Sequence, residues 1–313
     1  MTIAYISHPD CLLHEMEPQH PESPARLHAI QDSLVARGID AVLRHYDAPL
    51  VTREQLCRVH DPAYLDRLSE ELPAAGLHWL DSDTAMNPHT LKAAQRAAGA
   101  VVLAVDLVMH REASVAFCNV RPPGHHAGRA HPLGFCFFNN VAVGAAHALV
   151  AYGVERVAIC DFDGHHGNGT EEIFREDPRC LYCSTFEHPL FPYTGAEPTT
   201  VQVINVPLKA GTDGHAFRKA VAEEWIERLV AFDPQIVFIS AGFDAHVRDH
   251  LTHLRLTEDD FAWVTREIKM VADTCADGRI VSVLEGGYAA GVLGRSVVAH
   301  LDALIGRQHA GGR

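Results

Sequence analysis
Eight short apolar or β-branched runs punctuate the chain: Ile3–Ser7, Ala41–Tyr46, Ser114–Cys118, Val157–Asp161, Cys180–Thr185, Val201–Val206, Ile236–Ser240 and Ile280–Leu284. Their brevity and near-continuous hydrophobicity read as strands buried on both faces. Longer stretches between them carry helical periodicity. Pro24–Arg37 places Leu27, Ile30, Leu34 and Val35 on one side, and Pro88–His110 is rich in Ala and Val. Asn140–Tyr152, His215–Phe232 and Thr257–Ala276 continue the alternation, the last opening on a Thr257/Asp260 capping box. Strands alternating with helices predict an α/β fold: three αβα layers around a mostly parallel sheet of about eight strands. No Gly/Ser/Pro linker, repeat or low-complexity tract interrupts the pattern, so residues 1–313 read as a single domain.

Four of the later runs end in polar clusters: RPPGHH, DFDGHH, SAGFD and EGGY. Parallel sheets place their sites beyond the carboxyl ends of the strands, so all four clusters are expected along one edge. In the second, Asp161 and Asp163 share one side of an extended chain, and the glycines permit a tight turn just beyond. Asp163, His165 and Asp244 suit a three-ligand divalent metal site with positions open for water and substrate. That donor set accepts zinc or ferrous iron.

The adjacent His125 and His126 lie outside the ligand set, where an imidazole can act as general base and then acid. Asp161 can accept a hydrogen bond from one ring, and Asn168 can orient the other. Tyr288, after two glycines, can donate to an oxyanion opposite the metal. Phe135, after Gly134, and Phe191 are loop aromatics suited to wall a narrow apolar channel. His166 reads as a support for the site; His20 and Cys11 read as structural.

Composition narrows the class. Hydrophobic residues at 47% and charged residues at 21% describe a globular, soluble chain. No run reaches membrane-spanning length, and the start, MTIAYISHPD, lacks a secretory signal. The eight cysteines are scattered in apolar runs, and Cys180 and Cys183 read as strand residues; a reducing cytoplasm is expected. A net charge of −14 argues against nucleic acid and membrane partners and suits cationic substrates.

The motifs RPPGHHA (Arg121–Ala127), GFCFFNN (Gly134–Asn140), DFDGHHGNGT (Asp161–Thr170), SAGFDA (Ser240–Ala245) and EGGY (Glu285–Tyr288), with the early HPESPARL (His20–Leu27), resemble the ordered motifs of the histone deacetylase family. Asn168 and EGGY resemble its class II branch and the bacterial amidohydrolases. The resemblance implies the arginase/deacetylase fold and zinc-dependent hydrolysis of acyl-lysine amides in peptides or proteins by metal-activated water. Acetylpolyamines or other small acylated amines are the alternative substrates.

It further implies His126 as proton shuttle, His125 as its electrostatic partner and Arg26 beside a product-release cavity. A K⁺ or Na⁺ site would form from Asp161, Asp163, His165, Ser184 and Thr185. Leu251 stands where the polyamine-selective branch carries a glutamate, which favours a peptide-lysine channel of Gly134, Phe135, Phe191 and Leu251. Asp83 is a candidate for anchoring substrate amides or an amine. Homo-oligomerisation stays open. An arginase-type hydrolase would need a second metal cluster, and a non-catalytic acyl-lysine binder would not need the histidine pair.

Overall fold
The computed structural model describes residues 3–196 and 200–307. Ten strands follow in chain order: β1 (Ile3–Ser7), β2 (Leu43–Asp47), β3 (His78–Trp79), β4 (Ala85–Met86), β5 (Val115–Cys118), β6 (Val157–Asp161), β7 (Cys180–Glu187), β8 (Val203–Leu208), β9 (Ile236–Ala241) and β10 (Ile280–Leu284). The eight runs expected from the sequence form one sheet, ordered β2-β1-β5-β10-β9-β6-β7-β8. Every pairing in it is parallel. β3 and β4 make a separate antiparallel pair, too short to leave a periodic signal.

The chain builds outward before it builds inward. After β1 it adds β2 on one flank and β5 on the other; it then lays down β6, β7 and β8 further along. The last two strands, β9 and β10, fill the gap between β5 and β6. The four strands that carry the polar clusters therefore lie side by side as β5-β10-β9-β6. All of their residues are buried, as strands covered on both faces must be.

Helix Thr90–Met109 packs against Asn140–Ala151, while Ala290–Ile305 packs against both Ala25–Ala36 and Glu258–Cys275. The last of these begins with the Thr257/Asp260 capping box. The helix expected over His215–Phe232 runs from Gly214 to Phe232, with a π turn over Ala222–Ile226 around the buried Trp225. Short helices Arg53–Cys57, Pro62–Glu70 and Asn168–Phe174 have no counterpart among the helical stretches read from the sequence. Among the described residues no helix is long and apolar enough to cross a membrane. Cys180 and Cys183 are buried, unpaired strand residues in β7.

His300 lies in the core between Phe117, Phe162 and Phe243, bonded to Thr265 at 2.7 Å and Ser282 at 2.9 Å. Burial holds its pKa down at about 3. The unfolded chain thus binds a proton near pH 6.5 that the folded chain refuses until about pH 3. Stability contributed by neutral His300 is complete above pH 6.5 and falls on acidification, by about 1.4 kcal/mol per pH unit for one proton. His300→Gln is expected to flatten the acid limb of a Tm-against-pH curve between pH 6 and 4; a limb of unchanged slope would refute this assignment.

Candidate active site
The carboxyl ends of β6 and β9 bring Asp163, His165 and Asp244 together, with one donor atom from each within 4.8 Å of the others. His165 Nδ1 lies 3.2 Å from Asp163 Oδ1 and 2.9 Å from Asp244 Oδ2. All three residues are buried. Burial and then the neighbouring Asp163 carboxylate raise the pKa of Asp244 to about 6. Burial opposes ionisation of Asp163 too, yet His125 and His165 together hold it well below the usual range. Two carboxylates and an imidazole converging out of water are a donor set that a divalent cation fits, since it keeps both acids ionised.

Backbone amides prepare this cluster. Gly286 N–H donates to Asp163 Oδ2 at 2.8 Å, and Gly164 N–H donates to Asp244 Oδ1 at 2.7 Å. The approach requires glycine at 286, because a Cβ there would collide with both carboxylates. Thr252 Oγ1 donates to the Asp244 carbonyl at 2.7 Å and fixes the loop that carries it.

The histidine pair sits beside the cluster on the loop after β5, with ring centroids 4.0 Å apart. His125 Nδ1 is 3.0 Å from Asp161 Oδ2, which also accepts from the Tyr182 hydroxyl. His126 Nδ1 is 2.9 Å from Asn168 Oδ1, and an amide oxygen requires that nitrogen to carry the proton. Burial disfavours charge on both rings. At His125 the carboxylates of Asp161 and Asp163 overcome it and raise the pKa to about 10. At His126 nothing comparable does: burial, then His125 and His165, push it well below its ordinary value. At neutral pH the first ring is a cation and the second a neutral base with its lone pair on Nε2.

Tyr288 follows in the loop after β10. Burial raises the pKa of its phenol well above the ordinary value; Arg26 partly opposes that shift, and Asp244 and Asp163 add to it. The hydroxyl therefore stays protonated and able to donate. The Arg26 guanidinium stacks 4.8 Å over the ring, and its Nε donates to the Gly287 carbonyl at 2.7 Å. It also donates to the Glu285 carbonyl and, at 3.2 Å, to Glu22.

Two aromatic rings pack against these groups. Phe191 is 5.3 Å from His126 and 6.4 Å from His165, and Phe135 is 5.8 Å from Tyr288. Gly134 has φ +54°, and a Cβ on it would stand 2.5 Å from the His126 ring and 3.0 Å from Phe191. Leu251 is partly exposed, its N–H bonded to Asp249 at 3.1 Å. His20, read from the sequence as structural, packs edge-on against Phe135 at 4.8 Å. Thr84 links Phe135 N–H to the half-buried Asp83, whose pKa burial and Asp81 raise to about 6. Behind the cluster, Ser184 pairs with Asp161 across β6 and β7; Ser184 and Thr185 are both buried. His166 bonds Thr194 at 2.8 Å and lies 2.8 Å from Glu171, consistent with a supporting place.

Three acidic residues outside the sequence-based set hold this arrangement. Buried Glu285 accepts from the N–H groups of Gly124 and His125 at 2.7 and 3.1 Å and from Ser240 at 3.2 Å, which ties β10 to the histidine loop. Buried Glu22 receives Arg121 through both oxygens and also Arg26. Asp249 binds the backbone at Tyr288. The first two lie inside the motifs EGGY and HPESPARL; for Glu285 a carboxylate between an apolar strand and two glycines was the available signal.

Fold and site together define a hydrolase of amide bonds. The histone deacetylase domain model matches residues 20–304, so the chain belongs to the histone deacetylase family. Relatives include a probable deacetylase of Archaeoglobus fulgidus, 38% identical over 92% of this chain and 82% of its own. The histone deacetylase-like amidohydrolase of Pseudomonas aeruginosa is 36% identical over 93% of this chain and 78% of its own. Among solved structures, the HDA15 HD domain superposes with a TM-score of 0.92 at 33% identity, covering 98% of this chain and 88% of that one. The arginase/deacetylase fold expected from the sequence is the fold observed.

Replacing the amide on His126 by a carboxylate, Asn168→Asp, should raise the histidine's pKa by about one unit or more. The base must be unprotonated to act, so the acid limb of kcat/KM moves to higher pH. A pH–rate profile on an acyl-lysine reporter measures the shift, and an unmoved limb would exclude His126 as the titrating base.

Proposed function
We propose that the protein is a zinc-dependent deacylase that hydrolyses the side-chain amide of acyl-lysine in peptides or proteins. The observation that carries this reading is a buried Asp–His–Asp set with two touching histidines beside it, one bonded to the Asp161 carboxylate and the other to the Asn168 amide. A neutral base and a fixed cation next to a metal position are what stepwise amide hydrolysis needs. Asp163, His165 and Asp244 would hold the ion, with ferrous iron as the other metal the set accepts. When bound, zinc supplies Lewis acidity that polarises the amide carbonyl and acidifies a water molecule.

The chain's own groups do the rest. His126 takes the water's proton at Nε2 and delivers it to the leaving nitrogen as the C–N bond breaks. Asn168 keeps Nδ1–H in place throughout. His125, charged and tied to Asp161, offsets negative charge gathering at the reacting carbon. Tyr288 donates its hydroxyl proton in a hydrogen bond to the carbonyl oxygen as charge develops there. Water's hydroxyl ends on the acyl carbon and its other proton on the amine; the carboxylic acid so formed passes its proton to the free amine, giving a carboxylate and a lysine ammonium.

Gly134, Phe135, Phe191 and Leu251 suit an extended apolar lysine stem. Arg26, buried against the Tyr288 ring, would meet the departing carboxylate. A potassium or sodium ion beneath the site would draw on Asp161, Asp163, His165, Ser184 and Thr185; the buried Ser184 hydroxyl oxygen has no hydrogen-bond partner among the described residues.

Hydrolysis of an acetyl-lysine peptide by metal-loaded enzyme should fall at least about 100-fold on chelation and return when zinc is restored. Tyr288→Phe and His126→Ala should each lower kcat by roughly 10²- to 10⁴-fold with KM little changed. Chelator-resistant turnover, or full activity in either variant, would overturn the mechanism. A specificity constant for acetylputrescine above that for the peptide would reassign the substrate to small acylated amines.

A further inference from the structure
We infer that Asp249 is the positioning residue for Tyr288, acting through the backbone and never touching substrate. The inference rests on the deacylase reading only in assigning Tyr288 its role. Asp249 lies beyond Asp244 in the loop after β9 and is 8% exposed. Its Oδ2 accepts N–H bonds from Tyr288 at 2.7 Å and Ala289 at 2.9 Å. Its Oδ1 accepts from Leu251 at 3.1 Å, and its own N–H donates to the His246 carbonyl at 2.7 Å.

One carboxylate thus fastens the loop carrying the phenol to the loop carrying a wall of the channel. The two segments are far apart in sequence, and Tyr288 follows Gly286 and Gly287, the latter with φ +115°. A tyrosine after two glycines has many backbone conformations available, and most would carry its hydroxyl away from the metal position. Ala289 caps helix Ala290–Ile305 without a side chain able to accept its amides. Asp249, from the loop after β9, instead binds the two amides just ahead of the helix, where its negative charge also complements the helix dipole.

Arg26 holds the same turn from the other side through the carbonyls of Glu285 and Gly287. Donors on one flank and an acceptor on the other fix the peptide planes on both sides of Tyr288. Charge-assisted bonds to buried amides are the strong kind, so loss of the carboxylate frees the turn without removing any reacting group.

The test is a double-mutant cycle on the metal-loaded full chain. Asp249→Ala should lower kcat on the acetyl-lysine peptide about 10-fold or more with KM within about 2-fold, and the same change in a Tyr288→Phe background should cost less than about 2-fold. Asp249→Asn, which keeps an acceptor oxygen, should recover most of the loss. Hydrogen exchange, read without turnover, should show Tyr288 and Ala289 amides protected in the parent chain and exposed in Asp249→Ala. Equal losses in both backgrounds, or unchanged protection, would overturn the inference. An inactive parent chain with protected amides would instead fault the deacylase reading alone.

Discussion
Buried carboxylates set the terms for this protein. Glu22, Asp161, Asp163, Asp244 and Glu285 all lie out of water near the carboxyl edge of one sheet. An unpaired charge there would cost several kcal/mol, so each must find donors or cations. The fold answers with backbone amides of Gly124, Gly164 and Gly286, guanidinium groups of Arg26 and Arg121, and the ring of His125. The glycine-rich loops follow from this need. Side chains at Gly286 or Gly242 would occupy the space in which the Asp163 carboxylate meets its donors. What remains incompletely compensated is the Asp163–Asp244 pair, and that residual negative charge is the reason the cluster suits a divalent cation.

Sheet order turns this local chemistry into a site. β9 and β10 are made last yet occupy the centre between β5 and β6. Loops separated by more than a hundred residues become neighbours without any long excursion, because each leaves an adjacent strand at the same edge. Flanking strands contribute supporting residues: Ser184 and Tyr182 from β7, and Phe191 from the loop after it.

Much of this was legible in the chain itself. The inner strands announced themselves because central parallel strands are apolar on both faces, a pattern that needs no partner to be read, whereas the edge strand β2 is mostly exposed. The convergence of Asp163, His165 and Asp244 beside the histidine pair was legible because charged residues at the ends of such strands have little reason to be there unless they meet. Asp249 and Glu22 were not. Their partners are main-chain amides or arginines from distant segments, and no periodicity marks an aspartate whose work is to hold a backbone turn. The β3–β4 pair and the short helices failed on length, since a few residues cannot establish a period.

The division between His125 and His126 shows how little distinguishes a structural charge from a reactive base. The rings are chain neighbours, equally buried and nearly in contact. One faces the carboxylate of Asp161 and the other the carboxamide of Asn168. A carboxylate repays the desolvation of an imidazolium; a neutral amide oxygen orients the ring without repaying it. Each cation also penalises a second one beside it, so fixing charge on His125 helps to keep His126 neutral. A divalent ion at the Asp–His–Asp set would add to that repulsion and strengthen the separation. Asp161 therefore influences His126 without touching it, through the charge it stabilises one residue away.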